Sequence, residues 1–282
     1  MDFSFSPDQD DLRREARAFL EANPAPTMAQ LTELGWVGIL QSEDFTFLDA
    51  AVLFEELGRV LYAGPFVLNE LAGQPGEEVW SIEIDGFVPH LAAAGRVLTP
   101  GMQAATAQGD DVATMDETLG LGKLSGNGSE AAAGNWDDVR LRLLAAFALE
   151  AVGIGAKALE LAIAYAGERE QFGKQIGVYQ AISHSLVDGY VAVELGRSLA
   201  YWAAWCVSEG AADTGVAVAA AKAQATEAAV LACEKAIQAL GGIGFTWEHA
   251  LHRYYKRALW LDGALGYGRE HRAQVAKSVL SS

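Results

Sequence analysis

Two short clusters in the second half of the chain carry side chains able to hold a nucleotide. In the first, Arg169-Glu170-Gln171-Phe172-Gly173 is followed by Ile176-Gly177 and Tyr179-Gln180. A guanidinium at a helix end, beside a turn broken by glycine, can pair bidentately with a pyrophosphate, and a neighbouring aromatic can cover a ring. The same residue types more often serve as plain solvated groups at a helix terminus. In the second cluster, Gln238 precedes Leu240-Gly241-Gly242-Ile243-Gly244-Phe245-Thr246. Paired glycines let backbone approach a phosphate or ribose closely, and Gln238 offers an amide. Glycine pairs also simply end helices. No strand-turn-helix context surrounds Gly241-Gly242, so a Rossmann dinucleotide fold is rejected.

Two carboxylates stand out as candidates for proton chemistry. Glu248 follows Thr246 and suits the acidic first turn of a helix as well as it suits a base. Glu150 sits inside the apolar run Ala148-Leu149-Glu150-Ala151-Val152, where periodicity leaves both the core and a cleft open to it.

These residues need long helices to position them. Ser6-Pro7 followed by acids and then Leu12, Ala16, Phe19 and Leu20 predicts a capped helix from Pro7 to about Asn23. Leu31 to Leu40 and Leu48 to Leu61 give two more helical stretches, the second closed by Gly64-Pro65. Residues 1–72 therefore read as a helical N-terminal domain. From Gly73 to Gly134 helical period is lost, and short stretches such as VWSIEI, RVLTP, DVATM and LGLGKL alternate with glycine-rich turns. This is a small β segment, residues 73–134. Four long helical segments follow over 135–282: Trp136 to Glu168, Tyr179 to Ser208, Thr214 to Leu240 and Glu248 to Ser282. Short loops between long helices favour antiparallel neighbours, so the fold class is mainly α with a C-terminal four-helix bundle.

Composition narrows the partners. With 51% hydrophobic and 20% charged residues, 282 residues can bury a large core. A net charge of −17 argues against nucleic acid and anionic membrane, both of which attract cationic patches. No apolar run approaches the ~20 residues of a membrane span. The opening residues contain acids and no signal-type apolar core, so a cytoplasmic protein is expected. Cys206 and Cys233 lie far apart in helical patterns, which supports neither a disulfide framework nor a zinc site, and no metal is expected.

In order and spacing, the two clusters resemble the signatures of the acyl-CoA dehydrogenase family: REQFGKQIGVYQAISHSLVD the first, KAIQALGGIGFTWEHALHRYYKRA the second. MDFSFSPDQDDLRREARAFL, LTELGWVGIL and LFEELGR are similar to the family's first helical domain, so the resemblance spans nearly the whole chain. It implies an N-terminal helical domain, a middle β domain and a helical bundle around FAD. It also implies an acyl-CoA substrate, an acceptor of electron-transfer flavoprotein type, and FAD contacts at Arg169, Gln171, Phe172, Ile176, Gln180, Gln238, Gly241 and Gly242. In that family a carboxylate in an apolar cleft removes the α-proton of the thioester while the β-hydrogen leaves as hydride to the flavin.

The chain departs from the family in two places. The β segment is short, and nothing in it resembles the TEPxAGSD-type loop that lies against the flavin. Both positions that would carry the base are apolar, Leu265 before Gly266 and Leu143 in the first bundle helix, with Asp262 one turn away from the former. In the family's dimer the matching Arg, Phe, Gln and glycines reach across to the neighbour's FAD, and this half is kept. The pattern resembles the short subunit of heteromeric acyl-CoA dehydrogenases of bacterial steroid side-chain breakdown, which pair unlike chains as two plus two. The implied partner is a longer acyl-CoA dehydrogenase subunit, in a heterotetramer, that supplies the base. Two alternatives stay open: a self-sufficient enzyme using Glu248 or Asp262, and a non-catalytic helical interaction protein in which Arg169 is a surface ion-pairing residue.

Overall fold

The chain opens on helix α1, Pro7–Ala22, in the place its cap predicts. Ser6 and Gln9 exchange side-chain and backbone hydrogen bonds, Pro7 takes the first helical position, and Asp8 and Asp10 sit in the first turn. The computed structural model describes residues 5–74, 78–126, 128 and 130–280. Helix α2, Met28–Glu33, is closed at its start by a second such box, Thr27 with Gln30. The helix expected through Leu40 stops at Glu33, because Gly35 and Gly38 take left-handed backbone, φ 73° and 90°, and turn the chain. Helix α3, Phe47–Arg59, follows, and α4, Phe66–Ala72, is an addition to the sequence reading that ends at left-handed Gly73.

The middle of the chain is a reduced sheet. Strands β1 (Trp80–Ile82), β2 (Arg96–Thr99), β3 (Gln103–Thr106) and β6 (Glu130–Ala131) form a sheet in the order β1-β2-β3-β6, parallel at β1/β2 and antiparallel elsewhere. A separate pair, β4 (Gly109–Asp111) with β5 (Gly122–Leu124), registers Gly109 on Leu124. Residues 112–115, expected as strand, connect these pieces without one.

The bundle follows. Helix α5 is Trp136–Glu168, α6 Gln180–Glu209 and α7 Thr214–Leu240, joined after α5 by a small hairpin of β7 (Glu170–Gln171) and β8 (Lys174–Gln175). The last segment, expected as one helix from Glu248, is two: α8 (Leu251–Gly263) and α9 (Gly268–Leu280). The break has a backbone cause, since Leu265 and Gly266 take φ 59° and 105°. The later start reflects a 3₁₀ turn over Gly241–Phe245 and further turns to Ala250.

Small residues bring the helices together. A Cβ on Gly58 of α3 would overlap the Glu150 carbonyl of α5, and one on Gly153 would overlap the Glu55 carbonyl, so α3 crosses α5 at glycine on both sides. Gly155 of α5 meets Val193 of α6 and Ala229 of α7, while Gly189 of α6 meets Leu159 and Ala232. Rising along α5 therefore means falling along α6 and rising along α7. Segment 214–245 is long and apolar enough to cross a membrane, and 67% of its most apolar window is buried inside the bundle as its central helix. The N-terminal helices are held to the bundle by charge as well as packing: buried Glu55 accepts from Arg197 at 3.0 Å and from the Tyr201 hydroxyl at 2.7 Å.

Candidate functional site

The parallel run of α5 and α7 decides where the two clusters lie. From the level pair Leu159 and Ala232, α5 continues to Glu168 and α7 to Leu240. At about 1.5 Å per residue the two helices end within a few ångströms of the same height. Both loops consequently crown one end of the bundle.

On the first loop, Arg169 is exposed and its guanidinium has no ion pair among the described residues. Phe172 stands 94% exposed at φ 54°, ahead of left-handed Gly173. The Gln171 carbonyl accepts from the Tyr179 hydroxyl at 3.1 Å, and its amide donates to the Glu170 carbonyl at 2.7 Å, so the hairpin is braced from within. Ile176 is half-buried against the core and anchors the loop, and Gln180 opens α6 exposed. On the second loop, Gln238 is exposed in the last turn of α7, and Gly241 takes φ 65°, ψ −140°, a conformation open to glycine.

Gly242 tests whether a nucleotide suits this end. A Cβ there would meet no atom within 4 Å, and its φ lies outside the left-handed region. Neither packing nor conformation within this chain requires glycine at Gly242, which fits a position kept bare for a group approaching from outside. Phe245 and Trp247 are 70% and 69% exposed beside it. Trp247 is held by an edge contact with His252, 4.7 Å between centroids, and by Lys256, whose Nζ lies 4.6 Å from the indole.

The candidate bases are placed differently. Glu248 lies in an exposed turn outside any helix and makes no hydrogen bond or ion pair among the described residues. Asp262 is turned into the α7–α8 contact, where its carboxylate accepts from the Thr226 hydroxyl at 2.9 Å. Fully buried Lys222 donates to the carbonyls of Asp262 and Gly266 at 3.1 and 3.2 Å, and burial lowers its pKa to about 8. Leu265 stands at this corner, its N–H donating to Asp85 at 2.8 Å and its carbonyl accepting from Arg140 at 3.4 Å. Arg140 lies three residues before fully buried Leu143 on α5. Leucine fills both positions where the family resemblance puts a base.

One cluster escaped the sequence reading. Where the N-terminal helices, the β segment and the bundle meet, buried Arg257 of α8 donates to Asp116 at 2.5 Å, Glu150 at 2.6 Å and Thr118 at 2.7 Å. It also points at the Tyr62 carbonyl, 3.5 Å away. Burial raises the Glu150 carboxyl above its ordinary range against the pull of Arg257. His90, nearly buried and left-handed at φ 56°, is lowered to about 3 by burial and then by Arg257. Arg257, Glu150 and His90, together with Tyr62, Phe147 and Trp260, line a cavity of about 30 Å³. That space suits a water or two, not an acyl thioester. A lone Glu in the apolar run of α5 was the only sequence signal, and its partners lie too far along the chain to be paired with it by inspection.

A profile of the acyl-CoA dehydrogenase C-terminal domain matches residues 128–280. The chain is 32% identical over 237 residues to the acyl-CoA dehydrogenase IpdE2 of Mycobacterium tuberculosis, across 74% of this chain and 71% of that one. Its fold is similar to a chain of the ChsE4–ChsE5 complex from Mycobacterium tuberculosis, with TM-score 0.85, 20% identity and 100% of both chains covered. It is also similar to a chain of the Tcur3481–Tcur3483 steroid ACAD, with TM-score 0.81, 20% identity, and 97% and 98% covered. At such identity the likeness to these two structures is one of fold.

Proposed function

This chain belongs to the acyl-CoA dehydrogenase family of FAD-dependent oxidoreductases, and from that premise we propose that it is the flavin-completing subunit of a heteromeric member. A longer chain of the same family holds most of the FAD and supplies the base for α,β-dehydrogenation of an acyl-CoA thioester. Bound flavin supplies the hydride acceptor. This chain's residues hold and orient: Arg169 pairs with the pyrophosphate, Phe172 covers an edge of the nucleotide, Gln238 gives it an amide, and Gly242 leaves room for it.

The observation that carries this reading is a division within the chain. Every nucleotide-binding candidate faces outward at one end of the bundle or anchors a loop there, whereas the junction of its own three parts is filled by Arg257, Asp116 and Glu150. An outward-facing half-site needs a second chain. The fold shared with chains of the ChsE4–ChsE5 complex and a steroid ACAD supports an unlike partner and a bulky, steroid-type acyl group. An acceptor of electron-transfer flavoprotein type would take the electrons from the flavin when it is bound.

The self-sufficient alternative would rely on Glu248, which is exposed in a turn, or Asp262, which is engaged by Thr226. Purification with and without a co-expressed longer subunit tests the choice. Flavin absorbance only in the co-purified complex supports the proposal; flavin on the chain alone favours self-sufficiency; none in either case favours a non-catalytic interaction protein.

A further inference from the structure

Trp247 is an exposed indole held in a fixed attitude, and its supports come from one side of one helix. His252 and Lys256 stand four residues apart on α8, so both project toward the turn that carries Trp247. His252 meets the indole edge-on, and Lys256 places its ammonium over the ring. Holding the ring there is not free. His252 is only 7% exposed, burial lowers its pKa, and its Nε2 is enclosed without a hydrogen-bond partner among the described residues. An enclosed nitrogen left unpaired destabilises the fold, and an indole mostly open to solvent returns little burial in exchange. A surface ring fixed on those terms suits contact with a group from outside the chain.

Charge and shape select that group. In a chain of net charge −17, residues 241–257 hold one acid, Glu248, against Arg253, Lys256 and Arg257, the last of them buried on Asp116 and Glu150. Lys256 has no ion pair among the described residues, so its ammonium stays a point charge available to an anion. A flat π surface with a cation 4.6 Å from its centre suits a purine ring that carries a phosphate. The pair repeats in kind, on the second loop, the cation and aromatic that Arg169 and Phe172 present on the first.

We infer that Trp247 and Lys256 form a second seat, for an adenosine phosphate, separate from Arg169 and built entirely from this chain. It rests on the flavin-completing reading only for the source of that group, which is either the FAD dinucleotide or the CoA part of the thioester. Calorimetric titration of the purified chain with AMP, which lacks the pyrophosphate assigned to Arg169, tests the seat itself. AMP binds, adenosine and inorganic phosphate each bind about tenfold more weakly, and Trp247→Leu and Lys256→Met each weaken AMP about tenfold. Arg169→Ala leaves AMP binding unchanged. Trp247 is exposed and Lys256 half-buried, so circular dichroism of both variants stays close to wild type. No binding at about millimolar AMP overturns the inference. Binding that is indifferent to Trp247→Leu, or lost in Arg169→Ala, overturns it equally. In the enzyme assembled with a longer subunit, Trp247→Leu identifies the source. A KM about tenfold higher for the acyl-CoA, but not for the acyl-pantetheine that lacks the nucleotide, assigns the seat to the CoA ester. Loss of bound flavin assigns it to FAD, and no change in either overturns it. The titration uses neither flavin nor partner, so its failure and the failure of the flavin test are distinguishable.

Discussion

Arg257 Nη1 lies 2.6 Å from Glu150 Oε1, joining α8 to α5 through two buried side chains, while Nε of the same guanidinium holds Asp116 at 2.5 Å. One cation thus faces two carboxylates in a site with little solvent. The two acids are unequal: Asp116 also accepts from the N–H and hydroxyl of Thr118, whereas Glu150 accepts, among the described residues, from Arg257 alone.

Asp116→Ala should cost about 3–5 kcal/mol, because it breaks a buried pair and a local turn together. Glu150→Gln keeps an oxygen for Arg257 and removes the surplus charge, and should cost less than about 1.5 kcal/mol at neutral pH. A carboxyl raised on folding keeps its proton longer folded than unfolded. Its stabilising contribution is full below the ordinary carboxylate range and lost as pH rises through the higher folded value. Glu150→Gln escapes that loss, so chemical denaturation should show the variant gaining on wild type as pH climbs from about 4.

Lys222 gives the opposite sign. Burial lowers it from 10.5 to about 8, so the folded chain sheds this proton before the unfolded chain does. Wild type should therefore gain on Lys222→Met between those values, by at most about 3 kcal/mol. Paired denaturation curves at pH 8 and pH 10 check it; a flat difference would refute the buried ammonium.

At the loop end, Arg169→Ala should reduce flavin retention in the assembled enzyme well beyond Arg253→Ala, an exposed arginine on α8. Gly242→Ala should likewise lower flavin occupancy while leaving the melting temperature of the isolated chain unchanged, since its Cβ enters empty space. Equal flavin content across the three variants would remove the site.

Glu248→Gln should leave substantial activity in the complex, whereas loss of one glutamate in the partner should abolish it. Removal of a positioned base costs ~10²–10⁴-fold. A fall of that size in Glu248→Gln, with flavin and assembly intact, would return the base to this chain.

Local signals were legible where one residue decides one element. Ser6 and Pro7 announced α1, Gly241 marked the end of α7, and the loss of helical period bounded the sheet. The break at Leu265 was hidden, because a leucine in left-handed backbone is imposed by tertiary partners, here Asp85, Arg140 and Lys222, and not by propensity. The loop-end candidates were legible as two motifs. That they share one end of the bundle required the parallel register of α5 and α7, set by alanine and glycine contacts far from either motif.

The Arg257 cluster also orders events in time. Its partners lie 107, 141 and 195 residues away along the chain, so it can close only after the three parts have found one another. Interactions that form after the rate-limiting step leave the speed of folding untouched and govern the speed of unfolding. If the cluster closes after that step, it acts as a brake on unfolding, and Asp116→Ala should speed unfolding more than it slows folding.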